Sequence, residues 1–516
     1  MLRAKANGCL RVVAALAAMA LAASATLAVA ETANAPAQAA GALRELLLKP
    51  AAGQTDPERA DRDAMVAFYE TRTYQPLWTS DAGATPKAEN LARELAIAAN
   101  YGLEPRLLAI PDLKLPPAEL EMRLTTSALT YARHARGGRI PDPAGMLNSN
   151  LDRKAQLIAP NVVLEGLANA AEPDVYLRSL HPKHPQFEKL RVAYLAALPP
   201  ARSDGKPAQL NASAKRLRAN MEMWRWMWDD LGRLHVFNNI PEFMQRVYKD
   251  GEVIRSEKIV VGMLDKQSSV FSRPLKYVVL RPQWRVPESI MVNELWPSLL
   301  RGGGLMRQYG LEIETKSSEP RDWRRIDWSK DDIRNYIVLQ RPGPKSVLGY
   351  VKFSFPSQHT IFMHDTPDKW MFRSAQRTLS HGCLRVQKPM NLAEIILKED
   401  KGWDAAKVAE ISRSGPLNNE IEMQSKIPIH LAYFTAWVED DGRMRAFPDI
   451  YGHERRVTQA LDGEWQKINK GRDHLAPVQP RFNPAVAAQQ KPNAPNQRRK
   501  EATVGDMIGD ALGLSF

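Results

Sequence analysis

Apolar residues recur at three- and four-residue spacing through the first half of the chain, which is the period of an amphipathic helix. The pattern covers residues 63–69, 91–99 and 120–135, and Pro, Gly and Asp separate these segments. A longer helix is predicted over residues 212–231, where Leu217, Met221 and Trp224 share one face. We therefore predict a mainly helical domain over residues 61–235.

From residue 237 onward the period changes to two, which is typical of strands. Alternation predicts a hairpin over residues 247–255 and strands over 258–262, 275–280, 336–340, 349–355, 360–365 and 427–438. The last of these is apolar on both faces over most of its length, so it should lie inside the sheet. A helix is expected over residues 389–400. The fold class is therefore α+β and multidomain, with a β-rich domain over residues 236–470.

Three segments depart from these patterns. Residues 290–333 lack strand alternation and are predicted to form an inserted lid. Residues 31–60, rich in Ala and Pro, are predicted to be a linker. Residues 471–516, rich in Pro, Gln and Asn, are predicted to be a disordered tail.

The N-terminus has the composition of a secretory signal peptide over residues 1–30. Arg3, Lys5 and Arg11 precede an apolar run that ends in the small-x-small sequence Ala28-Val29-Ala30. Residues 12–30 are barely long enough to span a bilayer, so an uncleaved anchor is the alternative. We expect an exported protein with no stable transmembrane segment after cleavage.

The chain of 516 residues carries a formal charge of +13, and removal of residues 1–30 leaves about +10. This excess favours an acidic partner. Export argues against nucleic acid, and no zinc-finger, recognition-helix or stacking-sheet pattern is present in the sequence. An anionic envelope polymer or a membrane surface fits better, although the charges could also serve only to keep the surface soluble.

Cys383 is the only cysteine left after signal cleavage, because Cys9 lies within residues 1–30. In an oxidising compartment a lone thiol is either buried and inert or functional. His364 ends a predicted strand nineteen residues earlier, and Gly382 permits a tight backbone path that could bring imidazole and thiol together. An imidazole partner would raise the small thiolate fraction of a free cysteine, which favours acyl transfer.

Neighbouring residues indicate how such a site would hold its substrate. Gly382 would let backbone N–H groups near Cys383 converge on a developing oxyanion. Arg385 would lie on the same side of a strand as Cys383, and its guanidinium could grip a carboxylate. Arg377 is a second candidate for that role, or for bracing the loop.

A zinc site is the alternative chemistry for this region. Residues of suitable type are His359, His364, Asp365, His381 and Cys383. Their spacing is not one that zinc sites use, and a metal would mask the thiolate. We therefore expect no metal.

The residues of this region form an ordered set. It consists of His364-Asp365-Thr366-Pro367, then Arg377, then Ser380-His381-Gly382-Cys383-Leu384-Arg385-Val386. Supporting phrases are WRVPESI (284–290), QRPG (340–343), LGYVKFSF (348–355), IPIHLAYFTAW (427–437) and DIYG (449–452). The set resembles the L,D-transpeptidase family, specifically its large Gram-negative subclass with a helical scaffold domain. The resemblance covers about residues 235–455 and, more weakly, the helical half from Phe68.

The resemblance implies a periplasmic enzyme that uses peptidoglycan stem peptides as donor and acceptor. Cys383 would attack the carbonyl of the third residue of a tetrapeptide stem and release D-Ala. The side-chain amine of diaminopimelate on a second stem would then resolve the thioester and form a 3-to-3 cross-link. Carbapenems would react through the same thioester chemistry, and no cofactor is implied.

The same resemblance implies roles for the surrounding groups. His364 would take the thiol proton, and a backbone carbonyl near Asp365 would orient its ring. The backbone of His381 and Gly382, in the loop that Ser380 begins, would form the oxyanion hole with the nucleophile's own N–H. Two departures lie outside this loop: Arg281-Pro282 and Ser346 stand where relatives carry Asn-Pro and Asn. They leave catalysis in place but put lid closure in question.

Several alternatives stay open on the sequence. Water instead of an amine could resolve the thioester, which would make the protein a carboxypeptidase or endopeptidase. Envelope proteins could be the acceptors, and other cell-wall synthesis proteins could be partners. A noncatalytic wall-binding scaffold is the alternative from another class.

Overall fold

The helical and sheet-forming halves fold as two compact units. The computed structural model describes residues 39–49, 53–80, 82–200 and 209–477, so the predicted signal peptide and most of the predicted tail lie outside the described residues. One unit contains the described residues up to Pro141, Ala155–Asp229 and Asp440–Arg443; the other contains Asp142–Lys154, Asp230–Glu439 and those from Met444 onward. The α+β multidomain fold class is confirmed.

Proline marks the start of most helices in the first unit. Its fixed φ suits the first helical turn, where its missing N–H would have no partner. The helices span 39–48, Asp56–Thr71, Pro86–Ala96, Pro117–Gly137, Pro160–Asn169, Pro173–Arg178, Pro185–Ala197 and Ala212–Trp224. Short 3-10 turns at Ala98–Tyr101 and Pro105–Leu108 and a hairpin of β1 (Thr79–Ser80) and β2 (Gly83–Ala84) accompany them.

Two segments of this unit differ from the sequence expectation. Residues 39–48, within the expected linker, are helical, because Leu43 and Leu47 lie one turn apart and both enter the core. The helix expected over 212–231 ends at Trp224. The chain then turns, and Trp226 and Met227 are buried as well.

Strands dominate the second unit. In chain order they are β3 (Leu234–Asn239), β4 (Met244–Lys249), β5 (Glu252–Gly262), β6 (Phe271–Pro274), β7 (Tyr277–Leu280), β8 (Trp284–Arg285), β9 (Glu312–Thr315), β10 (Pro320–Arg321) and β11 (Tyr336–Gln340). They continue with β12 (Val351–Ser354), β13 (Met363–His364), β14 (Thr378–Ser380), β15 (Leu384–Val386), β16 (Asn419–Glu422), β17 (Pro428–Ala432), β18 (Ala436–Val438) and β19 (Met444–Ala446). The helices outside residues 288–335 are Pro143–Met146, Pro389–Lys401, Ala405–Ser414 and His453–Leu461, with 3-10 turns at Lys369–Arg373 and Trp465–Lys467.

The main sheet has the order β16-β7-β12-β13-β15-β5-β4-β3-β17-β6, and β14 pairs with β5. Most pairs are antiparallel, but β13–β15, β14–β5 and β17–β3 are parallel. The hairpin between β4 and β5 turns at Asp250 and Gly251, whose φ values of 51° and 87° suit a tight two-residue loop. β17 is flanked on both sides, as its two apolar faces predict. The single strand expected over residues 427–438 is divided, however, because Ala436–Val438 forms β18 and pairs with β19 in a separate two-stranded sheet.

The segment predicted to be a lid, residues 290–333, belongs to a substructure with its own sheet and core. This sheet has the order β10-β9-β11-β8, so two short strands lie where the sequence shows no alternation. Val292, Trp296 and Ile313 are buried in its core. Residues 336–340, expected in the main sheet, form β11 of this one. Helical segments span Glu288–Ile290, Met291–Leu295 (a π-helix), Trp296–Leu300 and Gly304–Tyr309, with 3-10 turns at Trp323–Arg325 and Ile333–Asn335.

No helix among the described residues is both long enough and apolar enough to cross a bilayer. The described start of the predicted tail, residues 471–477, packs on the second unit. His474 Nε2 lies 2.6 Å from His359 Nδ1, and its Nδ1 lies 3.0 Å from Ser149 Oγ. Composition does not predict this packing, because single side-chain pairs leave no periodic signal in a sequence.

Glu121 anchors the aromatic turn over residues 74–78 to the helix Pro117–Gly137. Its buried carboxylate accepts hydrogen bonds from the Tyr69 hydroxyl (2.6 Å) and from the backbone N–H groups of Leu77 (2.6 Å) and Trp78 (2.8 Å). Burial raises the pKa of this carboxyl. Trp78 itself is 1% exposed, which fits a packing role for the turn.

We expect Glu121→Ala to lower the free energy of unfolding of the helical unit by about 3 kcal/mol, because it leaves buried donors without an acceptor. Urea unfolding followed by tryptophan fluorescence would measure the loss. The matched control is Glu119→Ala on the same helix, which removes only a partly exposed pair with Arg123 and should cost less than about 1 kcal/mol. Equal losses in the two variants would contradict the anchoring role.

Candidate active site

His364 and Cys383 lie at neighbouring strands of the main sheet. β13 runs parallel to β15 with His364 opposite Arg385, and the Leu384 N–H donates to the Phe362 carbonyl at 3.1 Å. Further back along this register, Cys383 lies beside Phe362, two positions before His364. Residues two apart on a strand share a face. The imidazole and the thiol therefore face the same side of the sheet.

A backbone carbonyl fixes the ring of His364. Its Nδ1 lies 2.5 Å from the carbonyl oxygen of Asp365, so Nδ1–H donates and Nε2 is left without a proton. Burial, with the positive charges of Arg385 and Lys352, lowers the pKa of His364 to about 3. The Asp365 carboxylate is itself held by backbone N–H groups, among them that of Thr366 at 2.7 Å.

Cys383 is half-buried, and its sulfur lies 3.9 Å from the carbonyl oxygen of Thr360. Burial raises the pKa of the thiol to about 11, against the opposing effects of the Phe362 N–H, Lys352 and Arg385. Thiol and imidazole are therefore both neutral near pH 7. Burial therefore opposes an ion pair between them in the resting protein.

The loop from Ser380 to Cys383 is held by its own hydrogen bonds. Gly382 has φ 113°, in the region that favours glycine, and a Cβ there would lie 3.3 Å from the Gln267 carbonyl oxygen. The Gly382 N–H donates to Ser380 Oγ at 3.2 Å, and this hydroxyl donates to the Cys383 carbonyl at 2.6 Å. Within the described part of the chain, the Cys383 N–H has no hydrogen-bond acceptor.

Backbone carbonyls accept the hydrogen bonds of the Arg377 guanidinium. Its three guanidinium nitrogens donate to the carbonyls of Ile259 (3.1 Å), Ser374 (2.8 Å) and Phe243 (3.2 Å), and the side chain is buried. These contacts fit the bracing alternative better than the substrate-binding one.

Arg385 is held more loosely, and its guanidinium is buried beside His364. Its Nη1 lies 2.7 Å from Met371 Sδ and 3.7 Å from Asp368 Oδ2. Its Nε has no hydrogen-bond partner among the described residues. The group therefore keeps donors that a ligand could use.

Lys352 is a third charged group at the site, one that sequence reasoning missed. In the β12–β13 pair it lies opposite His364, as Arg385 does on the other side. Its ammonium lies 4.5 Å from the ring centroid of Phe362. The sequence sign that could have indicated this residue is a lysine between two apolar residues, Val351 and Phe353. Both neighbours are fully buried in the structure.

Glu294 joins the segment predicted to be a lid to the loop that carries Cys383. This half-buried residue of the π-helix lies 2.8 Å from His381 Nε2 and 2.5 Å from Lys266 Nζ. Burial alone would raise its pKa, but the hydrogen bonds and charges of His381 and Lys266 prevail and lower it to about 2. Sequence reasoning missed this contact because 87 residues separate Glu294 from His381.

The residues considered as zinc ligands have other partners. His359 lies 3.0 Å from Asp152 and 2.6 Å from His474, and His381 contacts Glu294. In the part of the chain that the structure describes, no three His, Cys, Asp or Glu side chains are grouped to hold one metal ion.

Comparison with known proteins identifies the domain that carries these residues. Residues 233–408 match the L,D-transpeptidase catalytic domain, a span that contains His364, Cys383, Lys352 and Glu294. The β-rich part of this chain therefore contains an L,D-transpeptidase catalytic domain. Residues 63–193, in the helical unit, match a scaffold domain.

One L,D-transpeptidase relative, a Haemophilus influenzae protein that carries this name provisionally, is 25% identical over 413 residues. The match covers 79% of this chain and 81% of the relative. A structural match is found to the solved structure of the Ldtfm-avibactam carbamoyl enzyme. The two sequences are 12% identical, and the match covers 39% of this chain and 49% of that chain. Its TM-score is 0.17, too low to carry an argument.

We expect Glu294→Gln to loosen the lid from the loop over residues 380–383. Loss of a charged acceptor should accelerate hydrogen exchange of residues 291–300 and 380–383 by about 10-fold or more. Exchange followed by mass spectrometry would measure this. Glu312→Gln, which removes an exposed lid carboxylate paired with Arg341, is the control and should leave both segments unchanged.

The Glu294 contact should also respond to acid. Its pKa in the folded protein is below the ordinary value of 4.5, so its stabilising effect is complete above pH 4.5 and is lost as the pH falls toward 2. The difference between the wild-type protein and Glu294→Gln should therefore vanish in acid. A difference that persists undiminished at pH 2 would count against this assignment.

Proposed function

We propose that this protein is a cysteine acyltransferase that joins peptidoglycan stem peptides by 3-to-3 cross-links in the periplasm. The observation that carries the proposal is the shared face of His364 and Cys383, with Nδ1 of the imidazole fixed on the Asp365 carbonyl. That arrangement leaves Nε2 to accept a proton from the thiol. The match of residues 233–408 to the L,D-transpeptidase catalytic domain supports the substrate class.

In the first step the Cys383 thiol gives its proton to His364 as the sulfur attacks the carbonyl of the third stem residue. The bond to the terminal D-Ala breaks, and the leaving nitrogen takes the proton from His364. A thioester is left on the enzyme. In the second step the diaminopimelate amine of another stem attacks the thioester, His364 takes the amine proton and returns it to the departing sulfur, and the thiol is regenerated.

The developing oxyanion needs donors that are free in the resting protein. The Cys383 N–H meets this requirement, whereas the Gly382 N–H already donates to Ser380 Oγ. We therefore assign the main oxyanion contact to Cys383 and a loop-shaping role to Gly382 and Ser380. Of the two arginines, we assign substrate binding to Arg385 and bracing of the loop to Arg377.

The lid favours transfer to an amine over hydrolysis. A thioester is exposed to water for as long as it waits for an acceptor, and a cover that excludes water protects it. Glu294 fixes the lid on His381, two residues before the nucleophile. This contact supports a covered site, and analysis of the products decides between cross-linking and trimming.

We expect the purified protein to gain the mass of one carbapenem, with the adduct on Cys383. Disaccharide-tetrapeptide donors should yield 3-to-3 linked dimers and free D-Ala, identified by mass spectrometry. Cys383→Ala should abolish both results, because no second cysteine follows residue 30. Arg413→Ala, on the exposed surface, is the control and should keep both.

Two results would contradict the proposed reaction or its mechanism. Tripeptides with no dimers would identify a hydrolase that uses the same cysteine. Dimers formed at the wild-type rate by Cys383→Ala would exclude the cysteine mechanism altogether.

A further inference from the structure

One row of side chains crosses six neighbouring strands of the main sheet, from β16 to β5. Paired residues point to the same face of a sheet. The imidazole of His364 therefore lies between two cations, one on each neighbouring strand. In order across the sheet, the paired positions are Glu420 (β16), Val279 (β7), Lys352 (β12), His364 (β13), Arg385 (β15) and Val260 (β5).

The two cations differ in what they already contact. Arg385 has Asp368 within 3.7 Å and the sulfur of Met371 within 2.7 Å. Lys352 is half-buried, and within the described residues its ammonium makes no hydrogen bond and no ion pair. The ammonium lies over the face of Phe362.

Burial lowers the pKa of Lys352, against the weaker opposing effects of Cys383 and Glu420. Glu420 lies two strands away in the row, so it does not form a direct pair with the ammonium. A partly desolvated ammonium without a contacting anion is costly to hold. The position of Lys352 therefore suits an anionic ligand.

The nature of that anion follows from the order of groups across the strands. Across the sheet, the sulfur of Cys383 lies next to β15, the imidazole of His364 is on β13 and the ammonium of Lys352 is on β12. In the donor peptide the reacting carbonyl, the leaving nitrogen and the carboxylate of the leaving residue follow one another in the same order. The carboxylate carbon lies only about 2.5 Å from the leaving nitrogen, because two backbone bonds join them.

We propose that Lys352 binds the carboxylate of the D-amino acid that leaves when Cys383 is acylated. This inference rests on the proposed function and adds a determinant of donor choice. A tetrapeptide stem presents that carboxylate free. In a pentapeptide or a C-terminal amide the same carbonyl is neutral, so Lys352 would favour tetrapeptide donors.

The bound carboxylate would also assist proton transfer. Lys352 and Arg385 both disfavour a protonated His364 by repulsion. A carboxylate paired with the Lys352 ammonium offsets that repulsion, so the imidazole can hold the thiol proton more easily while the carbon–sulfur bond forms. The same proton then passes to the leaving nitrogen beside it.

Binding to a catalytically inert protein tests the proposal without relying on turnover. Cys383→Ala protein would be titrated by calorimetry with the tetrapeptide and with its C-terminal amide. The carboxylate form should bind about 10- to 100-fold more tightly, the range of a charged hydrogen bond. Cys383→Ala/Lys352→Met should lose this preference and bind both peptides alike, and Lys352→Arg in the same background should keep part of it.

The chain offers a matched control in Lys276, an exposed lysine whose ammonium lies 5.0 Å from the ring centroid of Tyr277. Lys276→Met should leave the carboxylate preference intact. Thermal melting and near-ultraviolet circular dichroism of each variant would show that the protein is still folded.

A carboxylate preference that persists in Lys352→Met would overturn the proposal, as would equal or absent binding of the two peptides by the Cys383→Ala protein. The proposed function is tested separately. If the wild-type protein forms no acyl-enzyme and no products, the acyltransfer assignment fails, while a Lys352-dependent carboxylate preference would still stand.

Discussion

The parallel pairing of β13 with β15 is the constraint on which the candidate site depends. Parallel neighbours cannot be joined by a tight turn, so the chain must leave the sheet after His364 and return before Cys383. It does so through the 3-10 turn Lys369–Arg373 and through β14, which pairs with β5. Arg377 ties this excursion to three backbone carbonyls. A buried guanidinium thus fixes where the chain returns to the sheet with Cys383.

The electrostatics of the site oppose a preformed ion pair. Burial disfavours both the thiolate and the imidazolium, and the cations on either side of His364 favour the first while they disfavour the second. Activation of Cys383 therefore needs something that the resting protein lacks. On the proposed role of Lys352, the carboxylate of a bound donor would supply it, because its negative charge offsets the repulsion between the cations and a protonated His364.

Local pattern and motif predicted much of the fold. The sequence predicts the change from helical to strand period, the hairpin at Asp250-Gly251 and the interior position of β17. The structure confirms all three. His364 and Cys383 could be selected because both lie in an ordered set. Local pattern failed where one tertiary contact decides the outcome, as in the expected linker, where Leu43 and Leu47 join the core.

Residues that act through long-range contacts were missed. The place of Lys352 in the site depends on strand register, since it lies opposite His364 only because β12 and β13 pair at that position. Glu294 reaches His381 only because the lid folds with its own sheet and core. Neither residue stands in a motif, and a charged residue in a strand or helix is ordinarily a solvated one. Pairing information, not composition, is what identifies them.

A neutral thiol in the resting protein would also make Cys383 more resistant to oxidation. The thiolate is the form that oxidants attack, and burial raises the pKa of Cys383, which favours the protonated thiol at neutral pH. In the oxidising compartment that the predicted signal peptide implies, such a sulfur would be protected until a donor arrives. The burial that disfavours the thiolate is then the same property that protects the sulfur, and, on the proposed role of Lys352, an anionic donor would offset the cations that disfavour a protonated His364.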